Sequence, residues 1–394
     1  MDEHGDYNGV DLIEWINAHP QGYVHPSLRI GRRIPGDPTS IIGTFVSSDA
    51  KPIEAGDILA TIPWDCMIGP GNEYSLEIFE SCRAVRNLAD ELKLGDQSQY
   101  KPYVNYLLRQ STKMMPGEWS ITAQEFLHHK ILDRQLPPLE ADWFGAAGYK
   151  QWKNCGGNSN DAMERLAYYL TSTRDEDTLM IPIYDMMNHS NDPKKLNTLS
   201  YKPKSAGESF VFKASRKIEP SEEIFNCYNR CNTCSKHFRE ECETFSFRGT
   251  PDIFAHYGFV EESPQYWWFE RQSGNEVIEM EFCLEKNATA DEPDITWIGS
   301  VPTAEDKSFY TQHLERLRQI QREKEILEPQ LVQSDGENSQ GKMTRSEWEA
   351  CWNYRNTLVI AIELVLESIH RIEGGEGTKV IVYSQQEDDS GDEL

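Results

Sequence analysis

The stretch IPIYDMMNHSNDP, Ile181–Pro193, joins an apolar run to a string of small and ionisable polar residues without a break. The overlapping segment TLMIPIYDM has the apolar density of a buried strand. A solvent turn accounts for Asn188, Ser190, Asn191 and Asp192. It does not account for Tyr184, Met186 and Met187, which hold those polar residues against a core. The pattern reads as a site carried at the end of a strand, and its character depends on what the rest of the chain brings to it.

On either side the periodicity changes twice. Before about residue 74, a short helix over Leu12–Ile16 leads into IIGTFVSSDAKPIEAGDILATIPWDCMI, whose alternation reads as short strands with a turn at Glu54, Ala55, Gly56 and Asp57. Between about 74 and 170, LEIFESCRAVRNLADELKL, YVNYLLRQS, AQEFLHHKIL and DAMERLAYYL place apolar residues three and four apart, which predicts helices. The adjacent His128 and His129 cannot both point inward from such a helix. After the opening stretch, ESFVFKASR and EEIFNCY are strand candidates. Strands, helices and strands again describe one sheet-based domain over 12–270, interrupted by a helical insert at about 74–170.

Beyond it, 271–304 reads as a β or irregular connector, and the aromatics of QYWWFER just before it are expected to cover a sheet edge or an interface. A helical module is expected over 305–384. Its first helix runs through SFYTQHLERLRQIQREKEIL and ends near Pro329. Its second starts at Thr344, in capping-box spacing with Glu347, carries a stripe of Trp348, Trp352, Val359, Ile362, Leu366 and Ile369, and stops at Gly374. Residues 385–394 read as an acidic disordered tail.

Composition narrows the partners. A formal charge of −26 over 394 residues repels phosphate backbones, so direct nucleic-acid binding is not expected and a basic protein partner is favoured. The longest apolar run, from Leu358, is broken by Glu363 and Glu367, so no membrane partner is expected. The acidic N-terminus carries no apolar signal segment, which leads us to expect an intracellular protein, cytoplasmic or nuclear and not secreted. Nine cysteines in that setting should be reduced thiols or metal ligands rather than a disulfide framework. Cys231, Cys234, His237 and Cys242 have zinc-compatible spacing, against the plainer reading of structural thiols.

No phosphate loop, nucleophile elbow, zinc-protease helix or dinucleotide fingerprint is present. What is present, in order, is TSTRD, IPIYDMMNHS, KIEPSEEIFNCYN and FAHYGFV. Over roughly residues 12–262 this set resembles SET-domain methyltransferases, in particular the Rubisco large-subunit lysine methyltransferase group, with its P-x-x-D-x-x-N-H-S segment, its G-E-x-I-x-x-x-Y-like strand and its Y-G-F motif. The cofactor turn of that group, E-G-x-G-x-x-A, is SIIGTFV here: Gly43 is kept, and Ser40 and Ile41 stand where Glu and the first Gly are expected.

The resemblance implies an α+β SET fold of small sheets with a threaded, pseudoknot-like core, and transfer of a methyl group from S-adenosylmethionine to a lysine of a protein substrate. By the same resemblance, Gly43, Phe45, Arg174, Asn188, His189 and Phe259 would bind the cofactor. Arg174 would form a charge-assisted fork with its carboxylate, Asn188 would meet its ammonium, and Phe45 and Phe259 would be apolar shelves. Tyr228 would orient the amine and Tyr257 would wall its channel. Asp185 reads as a structural hydrogen-bond acceptor. Two alternatives stay open: a histidine acceptor on the same fold, and a catalytically silent SET fold used as an interaction module.

Overall fold

The computed structural model describes the chain apart from residues 1–7, 35–36, 38–39, 72–80, 111–114, 139–148, 159, 175–177, 193, 229–248, 286–292, 334–340, 376 and 382–394. In chain order the elements are α1 (Val10–Ala18), β1 (Tyr23–Val24), β2 (Leu28–Arg32), β3 (Ile42–Val46), β4 (Ile58–Ile62), α2 (Ser81–Leu94), α3 (Lys101–Leu107), α4 (Ile121–Glu125), α5 (Tyr149–Asn154), α6 (Ala162–Arg174), β5 (Asn188–His189), β6 (Thr198–Tyr201), β7 (Phe210–Ala214), β8 (Phe225–Asn226), α7 (Thr250–Tyr257), β9 (Gln265–Ser273), β10 (Glu276–Glu285), β11 (Asp294–Ile298), α8 (Ala304–Leu331), α9 (Arg345–Glu373) and β12 (Lys379–Ile381). The fold is α+β, with small and mostly antiparallel sheets between helices.

The backbone divides into two compact units, Met1–Met114 with Phe144–Phe247, and Met115–Trp143 with Arg248–Leu394. These are not the boundaries at 270 and 304 that composition suggests. In the first unit β1-β4-β7-β6 form an antiparallel sheet, and two two-stranded pairs, β2-β3 antiparallel and β5-β8 parallel, complete the β structure. Alternation sets the inner face of β7, where Phe210, Phe212 and Ala214 are buried and Val211 and Lys213 are not. The helices α2 and α6 pack on one another, and Leu88, Leu92, Leu166 and Leu170 on them are buried.

The TLMIPIYDM segment is not a strand. Met180 makes one bridge to Ile68; the chain then turns through Pro182 and Ile183, whose φ of 71° breaks any extended run, and enters a 3₁₀ turn over Tyr184–Met186. Proline removes a ladder donor, and a β-branched residue at positive φ is strained. The core position of the apolar residues was legible in their chemistry, the conformation was not.

In the second unit β12-β11-β10-β9 form a sheet whose inner aromatics, Trp267, Phe269, Phe282 and Trp297, pack with Trp348, Tyr354 and Leu358 of α9. The segment QYWWFER is therefore the body of β9, with Trp267 in the core rather than at an interface. The region read as a connector is part of this sheet. The capping box of Thr344 and Glu347 starts α9 as expected, and Gly374 ends it. A second capping box, Thr303 with Asp306, starts α8 earlier than the apolar pattern shows. That helix also runs past Pro329 to Leu331, because a proline in the last turn sacrifices only one intrahelical bond.

Residues 115–138 belong with the second unit for a specific reason. Glu347, buried at the start of α9, accepts from the backbone N–H and hydroxyl of Ser120, and Tyr354 Oη donates to the Pro137 carbonyl at 2.6 Å. Here His128 is half-buried and His129 exposed, within a π-helical stretch over Phe126–Ile131.

The cysteine expectation needs correction. Cys82 of α2 and Cys155, just after α5, form a disulfide, while Cys66, Cys227, Cys283 and Cys351 are buried thiols outside any disulfide. The fold brings together two sulfurs that are 73 positions apart, which spacing along the chain cannot reveal. No helix among the described residues is long and apolar enough to cross a membrane.

Candidate functional site

The site is built where β3, the segment before β8 and β5 lie side by side. Ile224 N–H donates to the Thr44 carbonyl at 2.8 Å and Val46 N–H to the Glu222 carbonyl at 2.9 Å. On its other edge the same segment pairs in parallel with β5, Asn188 opposite Phe225 and His189 opposite Asn226. The buried Asn197 fastens this strand from the side, donating to the Glu223 carbonyl at 2.8 Å and accepting from Phe225 N–H at 2.9 Å. Gly43 and Asn188, 145 positions apart in the chain, thereby meet.

Asn188 is oriented by its partners. Its Nδ2 donates to the Ile42 carbonyl at 3.0 Å and to Glu223 Oε1 at 2.7 Å. Both are acceptors, so the atom between them must be the nitrogen, and Oδ1 is turned away as a ready acceptor. Glu223, only 5% exposed, is ion-paired on its other oxygen with Arg33. Space at this point is strictly limited. A Cβ on Gly43 would stand 2.6 Å from Asn188 Nδ2 and 2.8 Å from Glu223 Oε1, distances real Cβ atoms do not show.

The neighbouring part is aromatic and cationic. His189 Nδ1 accepts from Tyr228 N–H at 3.0 Å, and the two rings lie 5.0 Å apart. Tyr228 Oη donates to the Met187 carbonyl at 2.9 Å, which fixes the phenol beside the main chain of the NHS segment. Arg174, at the end of α6, donates through Nη1 to the Asp185 carbonyl at 2.8 Å and to Tyr106 Oη at 3.1 Å, and through Nη2 to Gln110 Oε1 at 2.9 Å; its Nε is buried with no acceptor. Burial by itself would lower the Arg174 pKa, but Tyr106, Asp185, Tyr169 and Tyr228 more than offset it, so the guanidinium stays charged.

Asp185 behaves differently from the expected structural acceptor. Its main-chain carbonyl takes the Arg174 proton, whereas neither oxygen of its buried side chain has a hydrogen-bond partner. Burial therefore pushes the carboxyl up to about 7, only partly offset by Arg174 and by Tyr103. The Tyr103 hydroxyl beside it is likewise buried and without a bond, and its pKa is raised by burial and by Asp185.

Gly43, Phe45, Arg174, Asn188, His189 and Tyr228 thus all lie in the first unit, linked through contacts around β3, β5 and β8. Phe45 is not an open shelf: it is 1% exposed, with the Arg29 guanidinium 4.4 Å above its ring, and it supports Gly43 from below. Ile41 is half exposed, and Ser40 Oγ accepts from Ile34 N–H at 2.8 Å, so neither side chain occupies the contact at Gly43. Tyr257 and Phe259 fall in the second unit, where their rings are neighbours at 6.1 Å. The zinc candidates Cys231, Cys234, His237 and Cys242 lie outside the described residues, as does the acidic tail. Sequence reasoning missed Glu223, Arg33 and Asn197. An acidic residue inside the strand candidate EEIFNCY was the available signal, because a buried carboxylate needs a partner.

Comparison with known proteins returns a family match over part of the chain and a likeness to a solved structure. Residues 50–229 match the family model of the SET domain. Among solved structures, the SET domain of LSMT bound to lysine and AdoHcy aligns with a TM-score of 0.49 and 11% identity, covering 93% of this chain and 91% of that one. No curated protein matches the chain in sequence. Over residues 50–229, this chain carries a SET domain.

Proposed function

We propose that the protein is an S-adenosylmethionine-dependent methyltransferase whose acceptor is a lysine side chain of a protein substrate. The observation that carries this reading is the pre-oriented amide of Asn188 inside a SET domain: a free Oδ1 acceptor, locked by Ile42 and Glu223, next to a glycine that leaves no room for a side chain. A primary ammonium approaching main chain at close range needs that combination.

When bound, S-adenosylmethionine supplies an activated methyl group on a sulfonium. Asn188 Oδ1 would accept from its ammonium, the main chain of His189 would meet the adenine, and the His189 ring, held through Nδ1 by Tyr228 N–H, would stiffen that edge. Arg174 spends three of its five N–H groups on the Asp185 carbonyl, Tyr106 and Gln110, which hold the Asp185 main chain in place, and its Nε–H, buried without an acceptor, with the second Nη2 proton forms the edge that would meet the cofactor carboxylate. Tyr228 spends its proton on the Met187 carbonyl and offers its oxygen lone pairs to an incoming amine. A lysine with an unperturbed pKa of ~10.4 must lose a proton before it can attack, and enclosure by aromatic walls favours the neutral form. The roles of Tyr257 as a channel wall and Phe259 as an apolar shelf rest on the Y-G-F resemblance. The chain's charge of −26 supports a basic protein as substrate.

Incubation with methyl-labelled S-adenosylmethionine and basic protein fractions, followed by mass mapping of the acceptor, tests the proposal. Label on lysine is the expected result. Label on histidine would move the acceptor assignment, and binding without transfer to any protein would favour an interaction module. A Tyr228→Phe variant should lose at least ~tenfold in rate with cofactor affinity changed far less.

A further inference from the structure

Glu223 is the charged group at the site that the motif pattern leaves without a task. It is 5% exposed, lies on a strand bridged to Phe45, and uses its two oxygens differently. Oε1 accepts from Asn188 Nδ2 at 2.7 Å, and Oε2 accepts from Arg33 Nε at 3.1 Å and is ion-paired with the same guanidinium. Arg33 is half exposed, so the pair is a tether from the surface to a buried carboxylate. Asn197, donating to the Glu223 carbonyl, fixes the backbone from which the side chain projects.

The geometry points to Glu223 as a positioning residue for the cofactor, acting through Asn188. A primary amide can present its oxygen or its nitrogen to a ligand, and the two faces differ little in shape but are opposite in polarity. With only the Ile42 carbonyl beside it, the amide would keep one proton free and could rotate. The second acceptor, Glu223 Oε1, consumes that proton and leaves Oδ1 as the sole face for an ammonium. The place where the related group carries Glu in its cofactor turn is taken here by Ser40, whose hydroxyl is turned to Ile34 N–H. The acidic side chain against Gly43 comes instead from the bridged segment just before β8.

This inference rests on the cofactor reading above, and the test separates the two. S-adenosylhomocysteine is titrated calorimetrically into the full-length wild type, Glu223→Ala, Glu223→Gln and Glu223→Asp, with methyl-transfer kinetics alongside. Glu223→Gln keeps an oxygen that can accept from Asn188 and should bind within about threefold of wild type. Glu223→Asp keeps the charge but withdraws it by one methylene, and should weaken binding about five- to tenfold. Glu223→Ala should weaken it about ten- to thirtyfold, with the loss in cofactor KM rather than in kcat at saturation. A merely structural role would lower all three melting temperatures without this ordering. If Glu223→Ala does not fold, the contrast between Gln and Asp alone decides. Equal binding by wild type, Asp and Ala overturns the inference while leaving the function intact; Gln as weak as Asp overturns it as well. Absence of binding by wild type removes the function and the inference together.

Discussion

Gly43 shows how little freedom one residue has when two side chains converge on its Cα. Replacing it with Ala puts a methyl carbon 2.6 Å from Asn188 Nδ2, and the cheapest relief is rotation of the amide out of its bonds to Ile42 and Glu223. We expect Gly43→Ala to weaken S-adenosylhomocysteine binding by ~tenfold or more, measured by calorimetry, while the fold as read by circular dichroism persists. At the same scale, Asp185 makes a pH prediction. Its folded pKa of about 7 lies above the ordinary 3.8, so between those values the folded chain holds a proton that the unfolded chain has released. Its contribution to stability is thus complete below about pH 4 and is lost as pH rises through 7. Asp185→Asn removes that dependence: melting temperatures of variant and wild type should diverge in the variant's favour from pH 4 to pH 8. Parallel curves would show that the carboxyl has found a partner in solution. The candidate residues of the NHS segment stand out in the sequence because their order with TSTRD and YGFV is distinctive. The partners that aim them, Glu223, Arg33 and Asn197, do not, because single polar residues in strands look alike until tertiary pairing selects one.

Among the elements, local rules were legible where they are self-contained. The Thr344 capping box names its own start, and Trp348, Trp352, Ile362 and Ile369, separated by near-whole numbers of helical turns, name a buried face. Glu347 does more than cap, since it also accepts from Ser120 across 227 positions. Glu347→Ala should cost about 2–4 kcal/mol, a lost cap plus buried donors left unpaired, read from urea denaturation of the full chain. A cost below ~1 kcal/mol would mean that Ser120 turns to other acceptors. Elements that depend on distant partners were misread. The apolar run at Leu179–Ile183 folds as a bridge and a turn, and 271–304 reads as a connector in the sequence because its strands pair only with each other, with β9 and with β12. The disulfide between Cys82 and Cys155 closes a loop of 73 residues, which by chain entropy contributes about 4 kcal/mol. Cys82→Ser, or reductant, should lower the melting temperature of oxidised protein. Protein in which reductant changes nothing carries the two residues as thiols.

On the scale of the whole molecule, the chain leaves its first unit after residue 114 and returns at 144, then leaves again after 247. Helical periodicity is continuous across the first crossing, so the insert read as one block, and only the bonds of Ser120 and Pro137 to α9 reveal where 115–138 belongs. Stability at low pH should fail in the second unit through His313 of α8. It is buried, and desolvation, helped by the nearby Arg316, holds its pKa down at about 4. As pH falls from 6.5 to 4 the unfolded chain takes up a proton that the folded chain refuses, so stability declines in that window. His313→Gln should flatten the decline, followed by tryptophan fluorescence between pH 7 and pH 4, and an unchanged slope would assign the loss to carboxylates. The acidic surface as a whole favours encounter with basic substrates, with association slowed by added salt.

The central claim is that the cradle of Gly43, Asn188 and Glu223 holds S-adenosylmethionine. Calorimetric titration of the intact protein with S-adenosylhomocysteine tests it most directly. The account predicts a single site per chain whose heat is strongly reduced in Gly43→Ala. A wild-type titration indistinguishable from dilution, in protein shown to be folded, would contradict it.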